Sequence, residues 1–574
     1  MKKLLRYMSA YKLESVLGPL FKMLEAAFEL IVPLVVASII DVGIEEQNRP
    51  HIWKMCLILI ALAMIGLICS ITAQYFAAKA SVGFATKVRH VLFAHVQSLS
   101  YTDIDRLGSS TLITRMTSDI NQVQSGVNLA LRLLLRSPFV VFGAMIMAFT
   151  VDVRSAWTFV IIIPILCVVV FGIMLISIPL YRKVQASLDR VLGITRENLV
   201  GVRVLRAFGK QESETAEFDR RNEHLTVVQK HVGKITALMN PVTFLLINLA
   251  IIALIYTGAL QVDSGRLTQG EVVALYSYMS QILVELIKMA NLIISMTKAA
   301  ACGSRIQKVL EVEPSQKFSE TPVTPVAGAD AIVFSHVGLT YAGAGEASLH
   351  DISFSAARGE TVGIIGGTGS GKSSLISLIP RFYDATEGEI TIDGVNVGDY
   401  PADQLRRTVG IVPQKAVLFH GTIRDNMRWG RSDATDEDIR RALELSQAAE
   451  FVDQLEDGLD HIIEQGGRNL SGGQRQRLTI ARALVASPEI LILDDSASAL
   501  DYATDLRLRR AIAGMDPAPT TVIVSQRAAS IRHADRILVL DDGELVAQGK
   551  HDELLETCEV YQEIYYSQFP KEEA

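Results

Sequence analysis

Cysteine is scarce and scattered. Only five of the 574 residues are cysteine (Cys56, Cys69, Cys167, Cys302 and Cys558), and no two form a CxxC pair. That spacing indicates neither a disulfide framework nor a thiolate zinc site. A basic excess is missing too: 55 Lys and Arg face 62 Asp and Glu, a net charge of -7. A nucleic-acid binder needs a basic footprint, so no nucleic-acid partner is expected. No cleavable leader is expected either. The start MKKLLRYMSAYK is basic, but the apolar stretch after it is long and carries no small-residue cleavage motif. Proline is absent between Pro50 and Pro138, so nothing there forbids a very long helix.

Apolar residues, by contrast, are abundant. They make up 49% of the chain and the mean hydropathy is +0.29, which implies several domains and a membrane portion. Up to about residue 315, stretches long enough to cross a bilayer recur, each needing about 20 residues. Six are expected, at 15–40, 55–80, 128–150, 156–180, 237–261 and 272–298. The fourth, WTFVIIIPILCVVVFGIMLISIPLY, is the cleanest, and Lys22, Glu25 and Glu29 interrupt the first. Short links follow spans one, three and five; long polar segments follow spans two and four. The segment 182–234 carries eleven Lys and Arg, whereas the link 151–155 has only Arg154. The positive-inside rule then puts the long segments and both termini in the cytoplasm. Apolar spacing through VRHVLFAHVQSL is helical. A helix from about 53 to 98 would be roughly 70 Å long, more than twice the hydrocarbon thickness. Its excess must project into the cytoplasm.

The texture changes after a polar, proline-bearing linker at 316–330, QKFSETPVTPVAGAD. Residues 1–315 read as the membrane domain and 331–574 as a second domain. In the latter, β-rich runs such as ETVGIIG, EILILDD and TTVIVS alternate with helical stretches. This predicts an α/β fold with a largely parallel sheet.

The chemistry starts at GIIGGTGSGKSSL, residues 363–375, where Gly366, Gly371, Lys372 and Ser373 satisfy GxxxxGK[ST] between a strand and a helix. Such a loop (Gly366, Gly367, Thr368, Gly369, Ser370, Gly371, Lys372, Ser373 and Ser374) turns backbone N–H groups toward phosphate. Lys372 would reach the β- and γ-phosphates of ATP, and the Ser373 hydroxyl would ligate Mg2+. In ILILDDSASALD, residues 490–501, four apolar residues run into Asp494 and Asp495. A third motif, LSGGQRQR at 470–477, opens another helix. Alone, Ser471, Gly472, Gly473 and Gln474 would make an ordinary cap. With the phosphate loop upstream they form a second phosphate cradle, and since one γ-phosphate does not need two, this one serves a neighbour's nucleotide.

Six spans followed by these motifs resemble an ABC exporter half-transporter, and the resemblance covers nearly the whole chain. It implies an all-α polytopic membrane domain with six transmembrane helices, then an α/β P-loop NTPase domain, in the cell membrane with the ATPase domain cytoplasmic. In that family two chains pair, and two ATP molecules lie between one chain's P-loop and the other's LSGGQ. Matched residue by residue, Tyr341 would stack on adenine, and Gln414 in GIVPQ would sense Mg2+ and the γ-phosphate. Asp494 would belong to the magnesium shell, and Ser498 to Asp501 would cross to the partner. Segments 117–122 (TSDINQ) and 207–218 (AFGKQESETAEF) would be the lever tips that dock on the ATPase domains. MKKLLRYM would lie at the interface with its basic residues on lipid headgroups.

Two positions depart from the family. Its catalytic glutamate is Asp495, one methylene short, and its switch histidine is Gln526 in IVSQRAAS. Asp495 alone leaves a tolerated variation open as the alternative, but both changes around one nucleotide read as a weakened site, because phosphoryl transfer depends on positioning and charge. Gln526 cannot become an imidazolium. With LSGGQ intact, the pattern resembles one subunit of a heterodimeric multidrug exporter paired with a second, non-identical half-transporter. The rivals are a homodimer with two slow sites and an ATP-gated regulatory or channel protein without net pumping. Ionisable residues inside spans count as functional candidates. Glu25 and Glu29 share a face of the first span: either they sit solvated near the cytoplasmic membrane edge, or mutual repulsion leaves one protonated or facing a cation. Glu285 and Lys288 lie three apart on the last, as a structural ion pair within one helix or as part of a site. With Tyr276, Tyr278 and Met279 they suit a small amphipathic compound, drug-like or lipid or peptide.

Overall fold

The computed structural model describes residues 2–569. It divides into two units, one of residues 1–97 and 110–312, the other of 98–109 and 313–574.

Among the described residues, the first unit holds six helical segments long and apolar enough to cross a membrane: Lys3–Glu45, Arg49–Ser98, Ser109–Val151, Val153–Val200, Gln211–Asp263 and Gln269–Leu310. Each contains one of the expected stretches. The second segment, proline-free after Pro50, runs unbroken for 50 residues, about 75 Å at 1.5 Å per residue. Pro50 sits in its first turn, where a missing N–H costs nothing. Two of these segments start at short polar caps. Asp152 accepts from the Ser155 amide at 2.7 Å to open the fourth segment, and Thr268 with Glu271 forms a capping box on the sixth. The end of the first segment also meets the start of the sixth. Asp41 Oδ1 accepts from the Gly270 amide at 2.7 Å and Asp41 Oδ2 from the Thr268 hydroxyl at 2.6 Å.

The core of this unit is built by spans one, three, four, five and six, with Phe159, Leu166, Leu254, Leu275 and Ile282 fully buried. In the basic N-terminal stretch, Lys3 Nζ bonds the Glu311 carboxylate at 2.6 Å while its side chain stays exposed. The lever tip expected at 117–122 is corrected. Asp119 is buried within the membrane unit, holding Arg305 at 2.5 and 3.0 Å and Arg115 at 2.8 Å. A buried carboxylate between two guanidinium groups is tied to its own unit and does not present a tip. The segment grouped with the second unit is instead 98–109. At 207–218 the helices break at Phe208, which is 75% exposed.

In the second unit β1 (Ile332–Leu339), β2 (Leu349–Ala356), β4 (Glu387–Ile392) and β5 (Val395–Asn396) form an antiparallel sheet in the order β2-β1-β4-β5. The larger sheet uses β3 (Thr361–Gly366), β6 (Val409–Val412), β9 (Ile490–Asp494), β10 (Thr520–Val524), β11 (Arg536–Asp541) and β12 (Glu544–Gly549), in the order β12-β11-β3-β10-β9-β6. β7 (Gly421–Thr422) and β8 (Ile462–Ile463) pair separately. All pairings in the larger sheet are parallel except β11 with β12. Strands 3, 9 and 10 are buried nearly throughout, hence their unbroken apolar runs. Segment 98–109 packs on this unit through a short helix, Tyr101–Leu107. The Tyr101 ring stacks on Phe382 with centroids 4.8 Å apart, and Tyr383 donates to Asp105 at 2.7 Å. Asp103, 3% exposed, accepts from the Ser315 amide at 2.9 Å.

Candidate functional site

In a parallel sheet, functional side chains gather beyond the carboxyl ends of adjacent strands. Strands 3, 9 and 10 are neighbours, with Val524 opposite Asp494, so their loops converge. They enclose a cavity of about 770 Å³, large enough for a nucleotide. Its walls include Thr368, Gly369, Ser370 and Gly371 from the loop after β3, Lys372, Ser373 and Ser374 from the helix that follows, Gln414 after β6, Asp494 at the end of β9 with Asp495 after it, and Gln526 after β10.

Glycine is required at particular points of the loop. Gly369 and Gly371 both have φ of +89°, in the left-handed region. A Cβ on Gly366 would collide with the Leu540 carbonyl oxygen, and one on Gly371 would lie 2.8 Å from the Ser348 carbonyl. Gly367 has open space and is not constrained in this way.

Lys372 is nearly buried, and its ammonium turns back onto the loop, donating to Gly366 O at 3.0 Å, Gly367 O at 2.5 Å and Ser370 Oγ at 3.1 Å. Burial lowers its pKa, and the charges of Asp494 and Asp495 oppose that shift. The two carboxylates face the reverse situation. Burial raises the pKa of Asp494, and repulsion from Asp495 adds to it. Burial also raises that of Asp495, against a hydrogen bond from Gln414, whose Nε2 lies 3.4 Å from Asp495 Oδ2. A desolvated cation beside two desolvated carboxylates suits one ligand set: phosphate for the lysine and a divalent cation for the acids. Asp495 has φ of +44°, and its amide donates to the Val524 carbonyl at 2.9 Å, so its backbone is locked to β10.

Other sequence-singled residues lie apart from these walls. Tyr341 donates to Ser374 Oγ at 3.0 Å, and its ring meets Tyr383 edge-on at 5.0 Å, which holds it beside the loop. Ser471 caps the helix Gly472–Val485 and forms a capping box with Gln474. Ser471 and Gly472 are exposed, and none of residues 471–474 borders the cavity. Sequence reasoning missed Asp542, Gly543 and the β1–β2 loop residues Ala344 to Ser348, which also line it. No motif marks them; only the fold brings them there.

The intramembrane candidates form a network within the membrane unit. Arg136, 6% exposed, reaches Glu285 at 2.5 Å and Glu29 at 2.6 Å. Glu285 also accepts from Lys288 at 2.8 Å and from Ser137 at 2.9 Å. Glu25 pairs with Lys22 at 2.6 Å, so Glu25 and Glu29 face different cations. Two candidates are corrected. Glu285 is 3% exposed with its oxygens engaged, and Tyr278 is fully buried with its hydroxyl on the Leu30 carbonyl at 2.7 Å. Neither offers a surface to a substrate. The Glu29 and Lys288 side chains remain 44% and 43% exposed, and Tyr276 is 45% exposed.

Two family models match the chain: "ABC transporter transmembrane region" over residues 15–286 and "ABC transporter" over 349–498. The ABC transporter ATP-binding protein YfiB of Bacillus subtilis is 38% identical over 572 residues, covering 100% of this chain and 99% of the relative. An ATP-dependent lipid A-core flippase of Vibrio vulnificus is 29% identical, covering 99% and 97%. A solved bacterial Atm1-family ABC exporter with ATP bound superposes with a TM-score of 0.80 at 22% identity, covering 98% of this chain and 99% of that one.

Proposed function

Because the chain belongs to the ABC transporter family, multi-pass membrane proteins whose ATP hydrolysis is coupled to transport, we propose that it is the weakened-site subunit of a heterodimeric exporter. In this reading its partner is a second, non-identical half-transporter, its ATPase domain is cytoplasmic, and its cargo is an amphipathic compound, drug-like or lipid. The observation that carries the reading is the pairing of Asp495 and Gln526 on one cavity with an intact Ser471–Gln474 cap outside it. The resemblance of the whole chain to a lipid A-core flippase supports the lipid end of the cargo range.

Lys372, now satisfied by loop carbonyls, exchanges them for the β- and γ-phosphates of ATP. Tyr341 packs on the base. Ser373, Gln414 and Asp494 would hold Mg2+, which supplies charge neutralisation for the phosphates when bound. Asp495 stands where the family carries the glutamate that polarises the attacking water, one methylene shorter. Gln526 donates a neutral hydrogen bond where the family carries an ionisable ring. Ser471, Gly472, Gly473 and Gln474 complete the partner's site, where most hydrolysis occurs.

The test is to restore the missing groups. In a complex whose partner glutamate is silenced, Asp495→Glu with Gln526→His should raise hydrolysis at this site at least about tenfold, since misplacement near 1 Å costs on the order of a hundredfold. Neither change alone should suffice, because both act on one transition state. A double variant at background, facing a partner with an intact LSGGQ, would refute the assignment.

A further inference from the structure

Gln568 ends the helix Glu559–Gln568, and both ends of its side-chain amide engage one loop. Its Nε2 donates to the Gln526 carbonyl at 2.8 Å, and its Oε1 accepts from the Ala528 amide at 2.9 Å. The helix that carries it is well anchored. Tyr561 and Tyr565 are buried, the Tyr561 hydroxyl lies 2.8 Å from His551 Nδ1, and the Phe569 ring stacks on Tyr565 at 4.9 Å. A planar amide that satisfies one acceptor and one donor two residues apart fixes the backbone on both sides of Arg527. Arg527 is itself tied down, its amide donating to Ser525 Oγ at 3.0 Å and its guanidinium to the Ser498 carbonyl at 3.3 Å. The held loop is the one that sets Gln526 on the nucleotide cavity, and short loops so tethered lose their alternative conformers.

We infer that Gln568 is a positioning residue: by clamping the loop it holds Gln526 where its side chain meets the terminal phosphate, and it thereby sets this site's preference for ATP over ADP. The inference rests on the role given to Gln526 above. The experiment uses the whole purified transporter and photolabels this chain with 8-azido-ATP, competed by ATP or by ADP. Gln526→Ala should weaken ATP competition about fivefold, the loss of one hydrogen bond, with ADP unchanged. Gln568→Ala should do the same. Gln568→Glu, which keeps the acceptor for the Ala528 amide but faces the Gln526 carbonyl with a carboxylate, should also lose ATP selectively. A merely structural role would weaken ATP and ADP together. Selective loss in Gln526→Ala with either no change or equal loss of both nucleotides in the Gln568 variants would overturn the clamp and leave the site reading standing. No selective loss in Gln526→Ala would overturn the site reading and the clamp with it.

Discussion

Replacing Arg136 by methionine would remove a cation that lies between two carboxylates of different spans. Arg136 is almost wholly buried, and so is Glu285, whose side chain is 4% exposed. Removing one partner of a buried pair costs about 3–5 kcal/mol, because the other charge is left desolvated. Here Glu285 keeps Lys288 at 2.8 Å and Ser137 at 2.9 Å, which places the cost near the lower end. Glu29 is 44% exposed, and its return to a polar environment adds at most about 1 kcal/mol. Arg136→Met should therefore destabilise the membrane unit by about 3 kcal/mol, and Glu29→Gln by less than about 1 kcal/mol. At 2–4 °C per kcal/mol the first lowers the unfolding midpoint by roughly 6–12 °C and the second by no more than about 4 °C. The buried thiols Cys69 and Cys302 make the assay direct, since a thiol-reactive dye reports their exposure on heating in detergent. Equal shifts for the two variants, or an Arg136→Met shift under about 2 °C, would refute the idea that this network braces spans one, three and six.

Lys372→Ala should weaken ATP binding at this chain's site on the order of 10- to 100-fold, the worth of a hydrogen bond to a charged group, while part of the total hydrolysis survives. Complete loss of ATPase activity in the purified complex would contradict unequal sites. Ser471→Ala or Gly472→Asp should reduce hydrolysis more than Asp495→Asn does, because the cap serves the partner's nucleotide; the opposite ranking would exclude that role. Burial raises the pKa of Asp494 and Asp495, and Mg2+ binds only the ionised carboxylates. Protons should therefore begin to displace Mg2+ at a higher pH than from ordinary carboxylates, so Mg2+ affinity falls as pH drops. Titrating Mg2+ across a pH series checks this, and Asp494→Asn should flatten the dependence.

Much of the nucleotide site was readable because its residues are close in sequence and their chemistry is local. The phosphate loop needs glycine at Gly369 and Gly371 for positive φ, and the carboxylates follow an apolar strand directly. The long second helix was equally legible, since a proline-free run with helical spacing leaves no place to stop. What remained hidden depends on distant pairing. Glu285 and Lys288 looked like an isolated i,i+3 pair, yet Arg136, 149 residues away, decides that Glu285 is buried. Tyr278 looked like a wall of a binding surface, but its hydroxyl finds the Leu30 carbonyl across 248 residues. The lever tip was misplaced for the same reason. Nothing in YTDIDRL announces that its partners are Phe382, Tyr383 and Ser315.

That last pairing bears on how the chain is made. Residues 98–109 leave the ribosome about 200 residues before the rest of their unit begins at Glu313, which at 5–20 residues per second is a wait of roughly 10–40 seconds. Asp103 and the ring of Tyr101 must spend that interval without the surface that will cover them, while four further membrane spans are being inserted. The ATPase unit in turn completes its fold around a segment delivered earlier. Cut free at residue 313, it would expose the faces of Phe382 and Tyr383 and leave the Ser315 amide without its carboxylate. A short peptide of sequence YTDIDRL, supplied in trans, is the natural patch for that wound.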